Sequence, residues 1–140
     1  MLPRKRIRQD HGQDLVETAL VLPLLLLLLL SIVQLGIVFF QYNSISNAAR
    51  EGARYAIIHP GQVDSSASTC DDLSNPIRQA ACRLTSGLPP GLVTVSFRII
   101  GNAVCVDVTS EVQLLFAPIV IAFGSGGKVS LSASATMQLE

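Results

Sequence analysis

The sequence predicts an α+β protein: a long N-terminal transmembrane helix continues as a stalk and is followed by a small antiparallel sheet domain with one short helix. Two observations support this prediction. Residues 18–49 carry no charged side chain over 32 positions, and residues 24–30 are seven consecutive leucines. After residue 92, apolar and polar residues alternate in three segments, which is typical of half-buried strands. The length of 140 residues leaves room for one small domain and a tether, which excludes a multidomain enzyme.

Residues 19–40 are long enough to cross a membrane. They supply 22 positions without a charge, and a transmembrane helix needs about 20 apolar residues. Basic side chains stand mainly before this span, at Arg4, Lys5, Arg6 and Arg8, and only Arg50 and Arg54 follow it closely. Because basic residues favour the cytoplasmic side, we expect a single-pass protein of the cytoplasmic membrane with a cytoplasmic N-terminus. The chain from about Gln41 onward is then extracytoplasmic, where disulfides persist.

Beyond the membrane the helix is predicted to continue to Ile58, because a proline and a glycine follow His59. Small residues repeat along one side of this part at spacings of three and four. They are Ala48, Ala49, Gly52 and Ala53. Small side chains allow close helix packing, so this face either receives the helices of partner subunits or lies against the chain's own sheet.

Residues 59–140 are predicted to form the small domain. Residues 62–69 are polar and are expected to be an exposed loop. Asn75 and Pro76 suit the start of a short helix, whose buried side would comprise Ile77, Ala80, Ala81, Leu84 and Leu88. Two strands then form a hairpin around Gly101-Asn102, with one row of inward side chains from Val93 to Ile99 and another from Val104 to Val108.

The last predicted strand covers residues 129–139, where Val129 begins a row of inward apolar residues that alternates with serines and threonines. An apolar run at residues 114–123 precedes it. Ten residues are too few to cross a bilayer. The run either docks on a partner or a membrane surface, or covers one end of the domain's own core.

Three cysteines outside the cytoplasm suggest one disulfide and one remaining thiol. Helical spacing puts Cys82 on the side away from the buried stripe, within reach of the loop that carries Cys70. Cys70–Cys82 is therefore the first choice. Cys105 projects from the polar side of its strand, so a Cys82–Cys105 bond and an intermolecular bond stay open.

Composition and motifs argue against several classes of function. The net charge is zero, which gives no support for nucleic-acid binding. No nucleotide-binding loop, metal-spaced ligand cluster or nucleophile motif is present, and there are only two histidines. We therefore expect no catalytic residue, no metal and no cofactor.

The residues before the apolar span suggest proteolytic processing. Glu17 stands two positions before a sustained apolar run, and a carboxylate at such a site needs either a partner or access to the headgroups. An ordinary boundary charge is one interpretation. In the other, cleavage between Gly12 and Gln13 removes a basic leader of twelve residues and makes Glu17 the fifth residue of the mature chain.

Two blocks of sequence resemble a known family. Gly12-Gln13, Leu15-Val16-Glu17, Ala19-Leu20-Val21-Leu22-Pro23 and the leucine run resemble the N-terminal signature of TadE-like proteins, the pseudopilins or minor pilins of tight-adherence (Tad) pilus systems. A second block typical of that family runs over residues 47–56, and residues 135–140 resemble it weakly. One position differs, because Thr18 stands where the family commonly has an aromatic residue.

The resemblance implies a pilin-like fold and a structural function. It divides the chain into a leader at residues 1–12, a transmembrane and stalk helix at 13–58, and an extracytoplasmic domain at 59–140. It also implies processing by a prepilin peptidase, and pairing of Glu17 with the new amine of a neighbouring subunit. The expected partners are the lipid bilayer, other pilin-like subunits and the Tad secretion platform, and the mature chain could enter a surface pilus. A membrane-tethered module that binds an extracytoplasmic ligand is the alternative.

Overall fold

Helix α1 covers His11–Ile58 and contains Pro23. The computed structural model describes residues 11–114 and 127–139. The chain divides into two compact units, Met1–Leu35 and Gly36–Glu140. The second unit holds the end of α1, the short helix and the sheet, so the predicted α+β class is confirmed. Of the apolar run at residues 114–123, all but Leu114 lies outside the described residues.

The sheet has four antiparallel strands in the order β1-β2-β3-β4. They cover Ser68–Thr69, Val93–Ile100, Ala103–Gln113 and Lys128–Gln138. The predicted hairpin turn joins β2 to β3, and Gly101 has the positive φ of +61° that such a tight turn requires. At the same end of the sheet, the amide of Leu139 donates to the carbonyl of Asn102 at 2.7 Å.

Strand β1 corrects the prediction of an exposed loop over residues 62–69. Ser68 pairs with Val95 and Thr69 with Thr94, so the end of that loop forms the sheet edge beside β2. Two residues are too few to produce an alternating pattern, so this strand could not be predicted from periodicity.

The core lies between the second half of α1 and one face of the sheet. Its strand side chains are the predicted inward valines and Phe97, all 2% exposed or less: Val93, Val95, Val104, Val106 and Val108. From α1, Ala48, Ala49 and Ala53 are fully buried in the same cluster. The backbone approaches most closely at Gly52, where an added Cβ would lie 3.2 Å from Ala81 Cβ and 3.2 Å from Val106 Cγ1.

Helix α2 spans Pro76–Cys82 and is capped as predicted. The Asn75 side chain accepts a hydrogen bond from the amide of Ile77 at 2.8 Å, which satisfies a free donor at the helix start. Helix α2 ends at Cys82, before Leu84 and Leu88, which were predicted to belong to its buried side. A 3-10 turn follows at Arg83–Thr85, and its three residues per turn leave Leu84 44% exposed and bury Thr85.

Three other residues that were predicted to be buried are partly or largely exposed. Ile99 and Val129 occupy inward positions, yet they are 57% and 39% exposed because each lies near the end of its strand. Ala80 is only half-buried.

Cys105 belongs to the outer, polar face as predicted, but it is only 6% exposed. The thiol there lies 3.7 Å from Asp107 Oδ1.

Replacement of Gly52 by leucine is expected to destabilise the domain. The new side chain would meet Ala81 and Val106, and overpacking of this kind costs about 1–3 kcal/mol. Gly36→Leu is the matched control, because no atom lies within 4 Å of a Cβ there. The rate at which a maleimide labels the buried Cys105 measures the opening of the sheet. We expect an increase on the order of tenfold for Gly52→Leu and none for Gly36→Leu; equal rates would contradict the close approach.

Candidate functional site: the exposed first half of helix α1

The first half of α1 presents apolar side chains on every side. All its large hydrophobic residues from Leu15 to Leu35 are at least 43% exposed. In the described part of the chain, α1 is the one helix that is long and apolar enough to cross a membrane, over Asp14–Ile58, with a mean hydropathy of 2.8 in its best window. A helix that is apolar all round needs lipid or other helices to cover it, so the composition of this segment suits a membrane or the helices of partner proteins.

Polar groups mark the beginning of this surface. Asp14, Glu17 and Thr18 line a shallow groove on the helix together with Val21, Leu22 and Leu25. The Thr18 hydroxyl donates to the Asp14 carbonyl at 2.8 Å, so it is occupied within the helix. A carboxylate beside such an apolar row becomes costly once lipid or a neighbouring helix covers the row, unless a positive group pairs with it.

The predicted cleavage point lies in the first turn of α1. Gly12 is exposed, and no atom lies within 4 Å of the position that its Cβ would take. Gln13 follows in the same turn, and helix ends fray readily. Gly12, Gln13 and Glu17 therefore lie within two turns of each other on α1, and Gly12 and Glu17 are exposed.

The stripe of small residues is buried, unlike the apolar side chains of the first half of α1. Ala48, Ala49, Gly52 and Ala53 pack within the second unit, on the chain's own core. Of the two interpretations left open by the sequence, packing against the own sheet is the one observed. This stripe is therefore covered in the single chain.

A disulfide joins Cys70 to Cys82, the pair that the sequence placed first, with the Cα atoms 5.7 Å apart. Cys105 is the free thiol in the part of the chain that the structure describes. The bond connects the residue that follows β1 to the last residue of α2, so it ties the sheet edge to the short helix.

The same region holds a buried arginine that the sequence analysis missed. The Arg78 side chain is 2% exposed, and its Nη1 lies 2.9 Å from Asp72 Oδ2. Nη1 also donates to the Asp72 carbonyl at 3.3 Å, and Nη2 donates to the Ser66 carbonyl at 3.4 Å. The guanidinium carbon lies 6.0 Å from the centre of the Phe97 ring, within the range of a cation–π contact.

A signal for this arrangement was present in the sequence. Arg78, Ala81 and Thr85 stand three and four positions apart, as residues of one buried helical face do, and all three are buried. The charge of Arg78 hid the pattern. Its partner Asp72 stands six positions earlier, outside this helical face, so the spacing does not show the pair.

Hydrogen bonds favour the ionised form of Asp72. The Ser74 hydroxyl and the Ser74 amide lower the pKa of the Asp72 carboxyl from its ordinary value of 3.8, and the Ser68 hydroxyl and Arg78 lower it further. The carboxylate is therefore ionised at neutral pH and available to Arg78. Among the described residues, no group of three or more histidine, cysteine or acidic side chains is placed to hold a metal ion.

The N-terminal part of the chain matches a known family model. The family model described as TadE-like protein matches residues 12–54, which confirms the resemblance over the first block and most of the second. The match contains the predicted cleavage point, the apolar part of α1 and the stripe of small residues. No curated protein and no solved structure gives a match.

The pair between Asp72 and Arg78 predicts a specific acid response. Since the pKa of Asp72 is lowered in the folded state, its stabilisation is present at neutral pH and is lost as the pH falls below about 3.8. Asp72→Asn should therefore lower the thermal midpoint of the detergent-solubilised protein at pH 6. It should also reduce the further fall between pH 6 and pH 3. Asp71→Asn is the control and should behave as the wild type; parallel falls in all three proteins would contradict the assignment.

Proposed function

We propose that this chain, whose residues 12–54 match the TadE-like family, is a membrane-anchored minor pilin or pseudopilin of a Tad pilus and secretion system. It acts by helix packing and not by catalysis. The observation that supports this function best is the uncovered apolar half of α1, which begins with Glu17 and lies within the matched segment. The structural, noncatalytic character of the family agrees with it.

The proposed topology follows from the charge distribution. Residues 1–12 are the cytoplasmic leader, residues 13–58 the transmembrane and stalk helix, and residues 59–140 the extracytoplasmic domain. A prepilin peptidase cuts between Gly12 and Gln13. The chain is the substrate of that protease, and the lipid bilayer holds the mature subunit until other pilin-like subunits and the secretion platform take it up.

Glu17 supplies specificity in the proposed assembly. Cleavage leaves a positively charged amine on Gln13, and the same amine on a neighbouring subunit is the counter-charge that a covered Glu17 requires. The apolar row of the groove beside Glu17 supplies surface for the neighbouring helix. Helix packing and charge pairing then occur in one contact, so a misaligned neighbour would leave a charge unpaired.

The first test concerns processing. In cells with an active prepilin peptidase, the membrane-extracted protein should have the mass of a chain that begins at Gln13. Gly12→Leu should leave the leader attached because it changes the residue before the cut, whereas His11→Ala should still be cleaved. Intact-protein mass spectrometry distinguishes the products. An uncleaved wild-type chain would exclude the proposed leader.

The second test separates an assembly role of Glu17 from a boundary role. Glu17→Gln keeps the size of the side chain and removes its charge, so insertion and cleavage should persist while crosslinking to pilin-like partners falls at least tenfold. Asp14→Asn removes the other carboxylate of the same groove and should retain association. The yield of crosslinked partner is measured in intact membranes. A wild-type yield from Glu17→Gln would contradict the pairing.

A further inference from the structure

The segment that carries β1 is weakly held by its own backbone. Residues 64–72, which we call the strap, include β1 and pair with β2 at only two positions. One further hydrogen bond joins the amide of Cys70 to the carbonyl of Val93 at 2.9 Å. A strand of two residues is shorter than the strands that persist in sheets, so other contacts must keep the strap in place.

The disulfide supplies the strongest of these contacts. It joins Cys70 on the strap to Cys82, twelve residues later at the end of α2. Helix α2 is seated in the core through Ile77 and Ala81, both fully buried. The strap is therefore fastened covalently to a helix that has its own hold on the sheet.

Arg78, a residue of α2, also links the strap to this helix. Each hydrogen bond that the structure describes for its guanidinium goes to the strap, at Asp72 and Ser66. A buried cation that loses its counter-charge is strongly unfavourable. If the strap leaves, Arg78 has to turn away from Phe97 toward water.

The rest of the sheet does not need the strap. Strands β2 and β3 pair at eight positions, and β3 and β4 at eleven. Helix α1 covers this three-stranded part through the contact of Gly52 with Val106. The strap can therefore detach while α1 and strands β2 to β4 stay packed.

We propose that the Cys70–Cys82 disulfide is a redox latch. In the oxidised chain it holds the strap on the β2 edge and completes the site of Arg78. In the reduced chain the strap detaches, the Arg78 guanidinium becomes solvated, and the edge of β2 is free to pair with another strand. An oxidant that itself carries a disulfide bond thus completes the domain. The redox latch does not depend on the proposed pilin function.

The chemistry is thiol–disulfide exchange. A dithiol reductant attacks the Cys70–Cys82 bond, forms a mixed disulfide with one sulfur and then closes its own disulfide ring. The two protein sulfurs leave as thiols, and the two electrons and two protons come from the dithiol. Oxidised glutathione reverses the reaction and departs as two reduced glutathione molecules.

Hydrogen–deuterium exchange of the full chain in detergent micelles tests the latch. In the oxidised protein, amides of the strap at residues 68–72 should be protected. After treatment with dithiothreitol they should exchange at least tenfold faster, while amides of β3 and β4 keep their rates. Cys105→Ser provides the background, because it prevents exchange with the third cysteine, and oxidised glutathione should restore protection.

Two variants sharpen the result. Cys70→Ser with Cys82→Ser should reproduce the reduced pattern without any reductant. In the oxidised Cys105→Ser chain, Asp72→Asn should speed strap exchange by less than reduction does, because the covalent bond persists. Unchanged strap protection after reduction would overturn the proposal. Equal acceleration in the strap, β3 and β4 would also overturn it, since the disulfide would then be a staple of the whole domain.

Discussion

The close contact between α1 and the sheet at Gly52 is the constraint on which the rest of the second unit depends. An added Cβ would lie 3.2 Å from Val106 and from Ala81, so helix, strand and α2 meet where only a small residue fits. The alanines beside Gly52 extend this contact and are fully buried. A domain of this size has few apolar side chains, and backbone proximity lets short ones fill the core without cavities.

The packing at Gly52 distinguishes the two halves of α1. The second half of α1 is used for the chain's own core, whereas the first half stays apolar and uncovered. The apolar segment that starts with Glu17 and continues through the leucines is exposed, and it is the surface that we propose for external contacts. The TadE-like match over residues 12–54 spans both halves.

Much of the fold follows from patterns that the sequence displays openly. The uncharged run predicted α1, alternation predicted β2 to β4, and Asn75-Pro76 predicted the start of α2. Strand β1 was missed because two residues carry no period. Leu84 was misplaced because the 3-10 turn changes the helical phase after Cys82. Local spacing does not reveal when a helix tightens.

The side-chain contacts could be predicted from the sequence less completely than the helices and strands. Residue types, spacing and the family resemblance singled out Gly12, Gln13 and Glu17, and their roles in cleavage and pairing stay predictions. The burial of Arg78 was not apparent, because its counter-charge Asp72 and its ring partner Phe97 are brought together only by the folded sheet. Sequence alone could not decide which surface the small stripe covers, since small residues suit a partner helix and the own sheet equally.

Cysteine crosslinking along α1 in intact membranes tests the central claim, that the first half of the helix is the assembly surface. In a Cys105→Ser background, single cysteines at Leu20 and Leu27 should form crosslinks with pilin-like subunits. Cysteines at Ala48 and Ala53 should form none, because the chain's own sheet covers them. Crosslinks at the two alanine positions without any at the leucine positions would contradict the account.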